Sequence, residues 1–296
     1  MSPGVFCISI DVELAWGIRH RAGPALLRLV LDHDRAITRR LLGLFEHFEI
    51  PVTWAVVGQL LVEERDTRLA PGPDALWHAP ELIEEIRMAR PGHEIASHSF
   101  THADFTAIDE AAAALELDSA VRAHAARGLD VRTFVYPWNR IAHTGLLAGR
   151  GVRIYRGADA GLPRVAARAG RVVHRAVNLV DKMLPVPPSV VAPADNGSSL
   201  VELPGSMLLI SRAGLRRAVR PALVAAKSRM GLRRAAATGR CFHLWFHPSN
   251  FYHQAEAQFA ILTGILREAA SLRDAYRLDV RTLGSFADRS RGARGA

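Results

Sequence analysis

Short apolar runs return along this 296-residue chain, each ended by polar residues and followed by a stretch of helical spacing. Residues 5–10, 51–57, 93–97, 131–136 and 152–155 read as short buried strands. Between them, residues 26–48 place Leu27, Val30, Leu31, Ile37, Leu41, Leu44 and Phe45 at helical intervals, and residues 80–89 form a second helix. Thr106 and Asp109, three apart, resemble a capping box opening a helix that runs to about 126. Repeated strand–helix units favour a mainly parallel sheet, open or closed into a barrel. Beyond residue 157 the pattern loosens. Residues 164–183 read as a basic helix, 185–199 as a long Pro/Ser/Asn-rich loop, 200–203 and 241–246 as strands, and 254–272 as a helix. The expectation is one domain over 1–296, with a basic helical insertion around 164–240.

Hydrophobic residues make up 49% and charged residues 23%, which excludes fibrous and wholly disordered classes. No uninterrupted apolar run approaches the roughly 18 residues of a membrane span. The first residues carry Asp11 and Glu13 and no basic leader, so a cytoplasmic protein is expected. Cys7 and Cys241, both in apolar runs, read as reduced buried thiols.

Lys and Arg number 38 against 29 acids, a net charge of +9. Residues 211–240 alone carry nine bases and no acid, so the remainder is balanced at 29 of each. One basic patch without interleaved aromatics does not make a nucleic-acid binder. Leu215, Val219, Leu223, Val224, Met230 and Leu232 suggest a cationic amphipathic helix broken near Pro221. A solvated outer helix explains it; peripheral contact with an anionic membrane or a lipid- or phosphate-bearing substrate is the sharper alternative.

Chemistry in such folds collects at the carboxyl ends of strands, and four such ends carry unusual polar residues. Asp11 and Glu13 follow the first run, where a structural salt bridge or a bound cation would each justify buried charge. His98 and His102 follow the third, and imidazoles four apart can converge on one cation. The HExxH pattern is absent, since His93-Glu94 is followed by His98 one position late. Tyr136, Pro137, Trp138, Asn139 and Arg140 follow the fourth run, where a Pro-containing turn with a packed indole is sufficient explanation. His247 follows Leu244-Trp245-Phe246, a place for a structural or a functional histidine. Together these supply the parts of a metal-assisted hydrolase.

In this order, Asp11-x-Glu13, Gly92-His93-Glu94-Ile95, His98-Ser99-Phe100-Thr101-His102, Tyr136-Pro137-Trp138 and Leu244-x-x-His247 resemble the polysaccharide deacetylases, the NodB-like group or carbohydrate esterase family four. The resemblance implies an irregular (β/α) barrel of about seven strands, a divalent metal (most often Zn2+), and removal of an acetyl or similar acyl group from a sugar amide. It makes Asp11 the general base, His247 the general acid, and His98 and His102 metal ligands. The ligand acid that normally follows the base is Val12 here, so Glu13 takes that place in a D-x-E arrangement. Side chains two apart in a strand share a face, which lets both carboxylates point at one site. Tyr136, Trp138, Asn139 and Arg140 fall at the substrate, with the Trp138 amide in the oxyanion hole.

The pattern departs from the family in two places. The Arg that orients the base aligns with Val135, leaving Arg132 or Arg140 as substitutes, and the acid behind His247 has only Asp159 as a candidate. Trp16, Trp138 and Trp245 offer faces to a sugar ring. The expected substrate is an N-acetylated sugar or glycan precursor. Hydrolysis of a cyclic imide or ureide, and a catalytically inactive carbohydrate-binding homologue, are the rivals. The oligomeric state is not legible in the sequence.

Overall fold

The computed structural model describes residues 2–62, 70–161, 184–195 and 200–292. Its first strand explains most of the architecture. β1 (Gly4–Val12) is buried along all nine residues, as a strand must be when both faces are covered. One edge pairs in parallel with β9 (Cys241–Phe246), from Val5 opposite Cys241 to Ile10 opposite Phe246. The other edge is shared: Gly4–Cys7 pair with β10 (Leu278–Arg281), and Ser9–Val12 with β2 (Thr53–Val56). Gly4 permits this crowding, since a Cβ there would lie 2.2 Å from the Ala235 carbonyl oxygen.

From β2 the sheet continues through β3 (Glu94–Ser97), β4 (Thr133–Val135), β5 (Ile154–Gly157) and β7 (Val201–Pro204), all parallel. The two-residue β6 (Ala194–Asp195) runs antiparallel on β7, and β8 (Met207–Leu208) closes the other end against β9. The outermost strands are therefore β6 and β8, ends of one path that do not pair with each other among the described residues. This is an irregular, incompletely closed (β/α) barrel. Its three strands beyond the expected seven are β6, β8 and β10; the first two are too short to leave a periodic signal.

The helices are α1 (Pro24–Phe48), α2 (Pro80–Met88), α3 (Glu110–Ala125), α4 (Gly145–Ala148), α5 (Pro221–Thr238), α6 (Ala255–Asp274) and α7 (Ser285–Gly292). Asp109, not Thr106, caps α3: its carboxylate accepts from Ala112 N at 2.8 Å, while the Thr106 hydroxyl turns to Asp104. Pro221 starts α5 instead of breaking a helix, because its missing N–H costs nothing in the first turn. Val219, Val224 and Leu232 are buried, but Leu215 points outward from a single 3-10 turn (Gly214–Ala218). Arg212 and Lys227 are buried too, so only part of the basic run faces solvent. The basic helix expected at 164–183 lies outside the described residues. Cys7 and Cys241 are free and buried. No described helix is long and apolar enough to cross a membrane.

The main core lies between the sheet and its helices, with Trp16, Trp54 and Trp77 buried within it. Trp16 packs edge-on against Trp77, its ring centroid 5.2 Å away, so it belongs to the core and not to a sugar-binding surface.

Candidate metal centre and active site

Because the strands run parallel, the segments leaving their carboxyl ends meet on one face. β1 delivers Asp11 within its last turn of pleat and Glu13 immediately after it. β3 delivers His98 and His102, β4 delivers Trp138, β5 carries Arg156, and β9 leads into His247.

A single Glu13 oxygen, Oε1, lies 3.1 Å from His98 Nε2 and 3.0 Å from His102 Nε2. His98 Nδ1 is 2.8 Å from the Val135 carbonyl oxygen, which can only accept, so the proton of a neutral ring sits on Nδ1. Nε2 then presents a lone pair to a carboxylate oxygen, an arrangement that requires an imidazolium or a cation between the acceptors. His102 is buried and its pKa is lowered, first by burial, so it resists becoming that imidazolium. Its Nδ1 finds no partner. Two imidazoles and one carboxylate oxygen within 4.8 Å, one ring oriented by a backbone carbonyl, fit a divalent cation of the zinc type. Burial acts to raise the Glu13 pKa, yet the charges of His102 and His247 hold it well below the usual carboxylate range.

Asp11, also buried, stands beside this group and belongs to a different interaction. Arg156 Nη1 and Nη2 donate to its two oxygens, each at 2.7 Å. The guanidinium spends all five N–H groups: Asn139 Oδ1 accepts from Nε at 3.1 Å and Nη2 at 2.9 Å, and Ser9 Oγ from Nη1 at 3.1 Å. Ser9 in turn lies 2.8 Å from His243 Nε2, and His243 Nδ1 donates to the Pro204 carbonyl at 3.0 Å. His243 is held neutral, its pKa pushed down to about 3 by burial and then by Arg156. The Trp245 ring lies 4.5 Å from the guanidinium carbon. Burial pushes the Asp11 carboxyl up, but Arg156, His98 and His247 outweigh it and leave the pKa lowered.

His247 Nε2 faces both acids, 3.4 Å from Glu13 Oε1 and 3.5 Å from Asp11 Oδ2. Burial alone would lower its pKa; the two carboxylates reverse this and raise it to about 9. With no cation on Glu13, the two carboxylates therefore favour the protonated form of His247.

Other expected positions resolve differently. The arginine that grips Asp11 is Arg156. Arg140 pairs with Asp104 and lies 5.9 Å from the Trp138 ring, and Arg132 reaches Asp288 at the surface. Asp159 accepts from Trp245 Nε1 at 2.8 Å, and the carboxylates within 4.0 Å of the His247 ring nitrogens among the described residues are Asp11 and Glu13. Tyr136 is wholly buried among Phe105, Phe134 and Tyr155, so its side chain belongs to the core and not to a substrate surface. Asn139 turns inward to Arg156 instead of outward. Trp138, in a left-handed conformation at φ 53°, stays 40% exposed with its ring 4.3 Å from His102, at the mouth of the site. One signal for Arg156 was present in the sequence: it directly follows the expected strand at 152–155, a strand end like those of the other site residues.

Among curated proteins there is no significant match. Three solved structures share the fold. A Mycobacterium smegmatis protein assigned as a polysaccharide deacetylase is 19% identical, with 99% of this chain and 95% of that one covered and a TM-score of 0.68. A Pseudomonas aeruginosa PAO1 protein with the same assignment is 16% identical, with 96% and 90% covered and a TM-score of 0.64. The allantoinase PuuE is 14% identical over the same shares, with a TM-score of 0.62. The polysaccharide deacetylase family model matches residues 24–149, a span that contains His98, His102 and Trp138. Over those residues the chain is similar to the polysaccharide deacetylases, and the solved structures show the same fold over nearly its whole length.

Proposed function

We propose that the protein removes an N-acetyl or similar acyl group from a saccharide or glycan precursor, with a divalent cation, zinc by its donor set, held by Glu13, His98 and His102. The observation that carries this reading is the geometry beside that triad: Asp11 is locked by Arg156 through two bonds of 2.7 Å, and His247 Nε2 lies 3.5 Å from Asp11 Oδ2. A cation bound there supplies Lewis acidity, lowering the pKa of water and polarising an acyl oxygen. Asp11 accepts the proton of the attacking water. The Trp138 amide offers a donor to the oxygen that becomes negative as the amide carbon turns tetrahedral. His247 protonates the departing nitrogen, without which the amine would have to leave as an anion.

The test is acetate release from N-acetylglucosamine conjugates by the zinc-loaded protein, run beside ring opening of a cyclic ureide. Acetate release that disappears in Asp11→Asn and His247→Ala is the expected result. Ring opening without acetate release would replace this reading with its ureide rival.

The exposed part of the basic run is proposed to meet an anionic lipid surface. β8 lies parallel to β9, so the chain leaving it emerges on the face that carries His247. There Leu215 is 83% exposed beside exposed Arg216 and Arg217. This combination suits partial insertion into a charged interface. Cosedimentation with phosphatidylglycerol-containing vesicles, lost in a variant neutralised at Arg216, Arg217 and Arg220, is expected; equal binding to pure phosphatidylcholine would remove the idea.

A further inference from the structure

Between His98 and His102 the chain must reverse so that both rings face Glu13. It does so through two left-handed residues, Ser99 at φ 63° and His102 at φ 58°. Such conformations cost non-glycine residues free energy and persist only where the surroundings enforce them. Here the enforcing contacts can be named. Gly58 N and Gln59 N donate to the carbonyls of Ser99 and Phe100, at 2.9 and 3.0 Å. Arg19 Nη1 donates to the Thr101 carbonyl. On the amide side a single residue serves: Glu116 Oε2 accepts from Phe100 N at 3.1 Å and Thr101 N at 2.9 Å, and Oε1 from the Thr101 hydroxyl at 2.6 Å.

Glu116 is well placed for this. It lies on α3, whose Ala113, Leu117 and Ala120 are buried against the body of the protein, so its backbone is fixed. Its carboxylate receives three bonds from two consecutive residues, which fixes the orientation of the peptide between them as well as its position. Charge-assisted bonds of this kind are stronger than neutral ones.

We propose that Glu116 is a positioning residue for the metal centre, its carboxylate setting the turn that brings the His98 and His102 imidazoles together. The proposal rests on the reading that Glu13, His98 and His102 hold a divalent cation. Contacts one shell outside a metal typically alter affinity about 10- to 100-fold.

The experiment is calorimetric titration of Zn2+ into the chelator-stripped full-length protein, with Co2+ absorption reporting ligand geometry and circular dichroism reporting fold. Wild type is expected to bind one equivalent. Glu116→Ala is expected to bind at least about 10-fold more weakly, with an altered Co2+ spectrum. Glu116→Gln, which keeps an oxygen acceptor for the two amides, is expected to fall between them. Thr101→Val removes only the hydroxyl bond and provides a milder variant should Glu116→Ala fail to fold; it too should weaken binding. Wild-type affinity in folded Glu116→Ala, or in Glu116→Gln and Thr101→Val together, would overturn the positioning role while leaving the metal site intact. No binding by wild type would overturn the metal reading, and this inference with it.

Discussion

Arg156 and Asp11, 145 residues apart in sequence, meet through two parallel bonds of 2.7 Å in a buried site. The fork of the guanidinium matches the carboxylate plane, so the bonds fix the orientation of the Asp11 oxygens as well as their charge. Arg156→Ala removes both short bonds to the buried Asp11, leaving only the longer contacts of His98 and His247, and is expected to cost about 3 kcal/mol in urea unfolding. Arg156→Lys keeps the charge and loses the fork, so it should recover much of the stability and little of the kcat. Equal kcat in Arg156→Lys and wild type would show that orientation of Asp11 is unimportant.

His247 should titrate near 9 in metal-free protein, followed by the NMR signals of its ring. The cause is specific: burial lowers its pKa, and Glu13 and Asp11 more than offset this. Glu13→Gln and Asp11→Asn are therefore each expected to lower it. In the rate profile, loss of the His247 proton removes the acid, so kcat/KM falls on the alkaline side. Asp11 acts in the opposite direction, and its lowered pKa keeps the base ionised into weakly acidic solution.

Gly17 lies directly beneath Glu13: a Cβ on it would stand 1.7 Å from Glu13 Oε2. Gly17→Ala must therefore push the carboxylate aside. A side-chain end moves cheaply, so the melting temperature should change little while Zn2+ affinity falls by about 10-fold or more. Unaltered affinity in calorimetric titration would show that Glu13 is not a ligand.

Asp34, buried on α1, has its pKa pushed up to about 6, chiefly by burial, against the lowering effect of the bond that Tyr252 OH donates to it. Its ordinary value is 3.8. A raised folded-state pKa means that stability is greatest below the ordinary value and is lost as pH rises through about 6. The loss is on the order of 3 kcal/mol, from roughly two pKa units at 1.36 kcal/mol each. The difference in unfolding free energy between wild type and Asp34→Asn should therefore shift against wild type between pH 4 and 7. A difference constant over that range would contradict the raised pKa.

Much of this was legible in the sequence because it is local. Strand–helix alternation follows from periodicity, β9 from a mostly apolar run at 241–246 that only His243 interrupts, and the residues of the triad from their places at strand ends. Asp11 and Glu13 share a face because two residues make one pleat repeat. What the sequence could not determine is which distant groups face one another. Tyr136 sits beside functional residues in sequence yet turns into an aromatic core, and Asn139 turns inward as well. Arg156, on a different strand from the motif where an arginine was sought, is the one that grips Asp11. Glu116 reaches the histidine turn only because α3 packs back across it. Hydrophobic spacing is set within a few residues of chain, whereas a buried charge is matched by whichever partner the folded sheet brings within hydrogen-bonding reach.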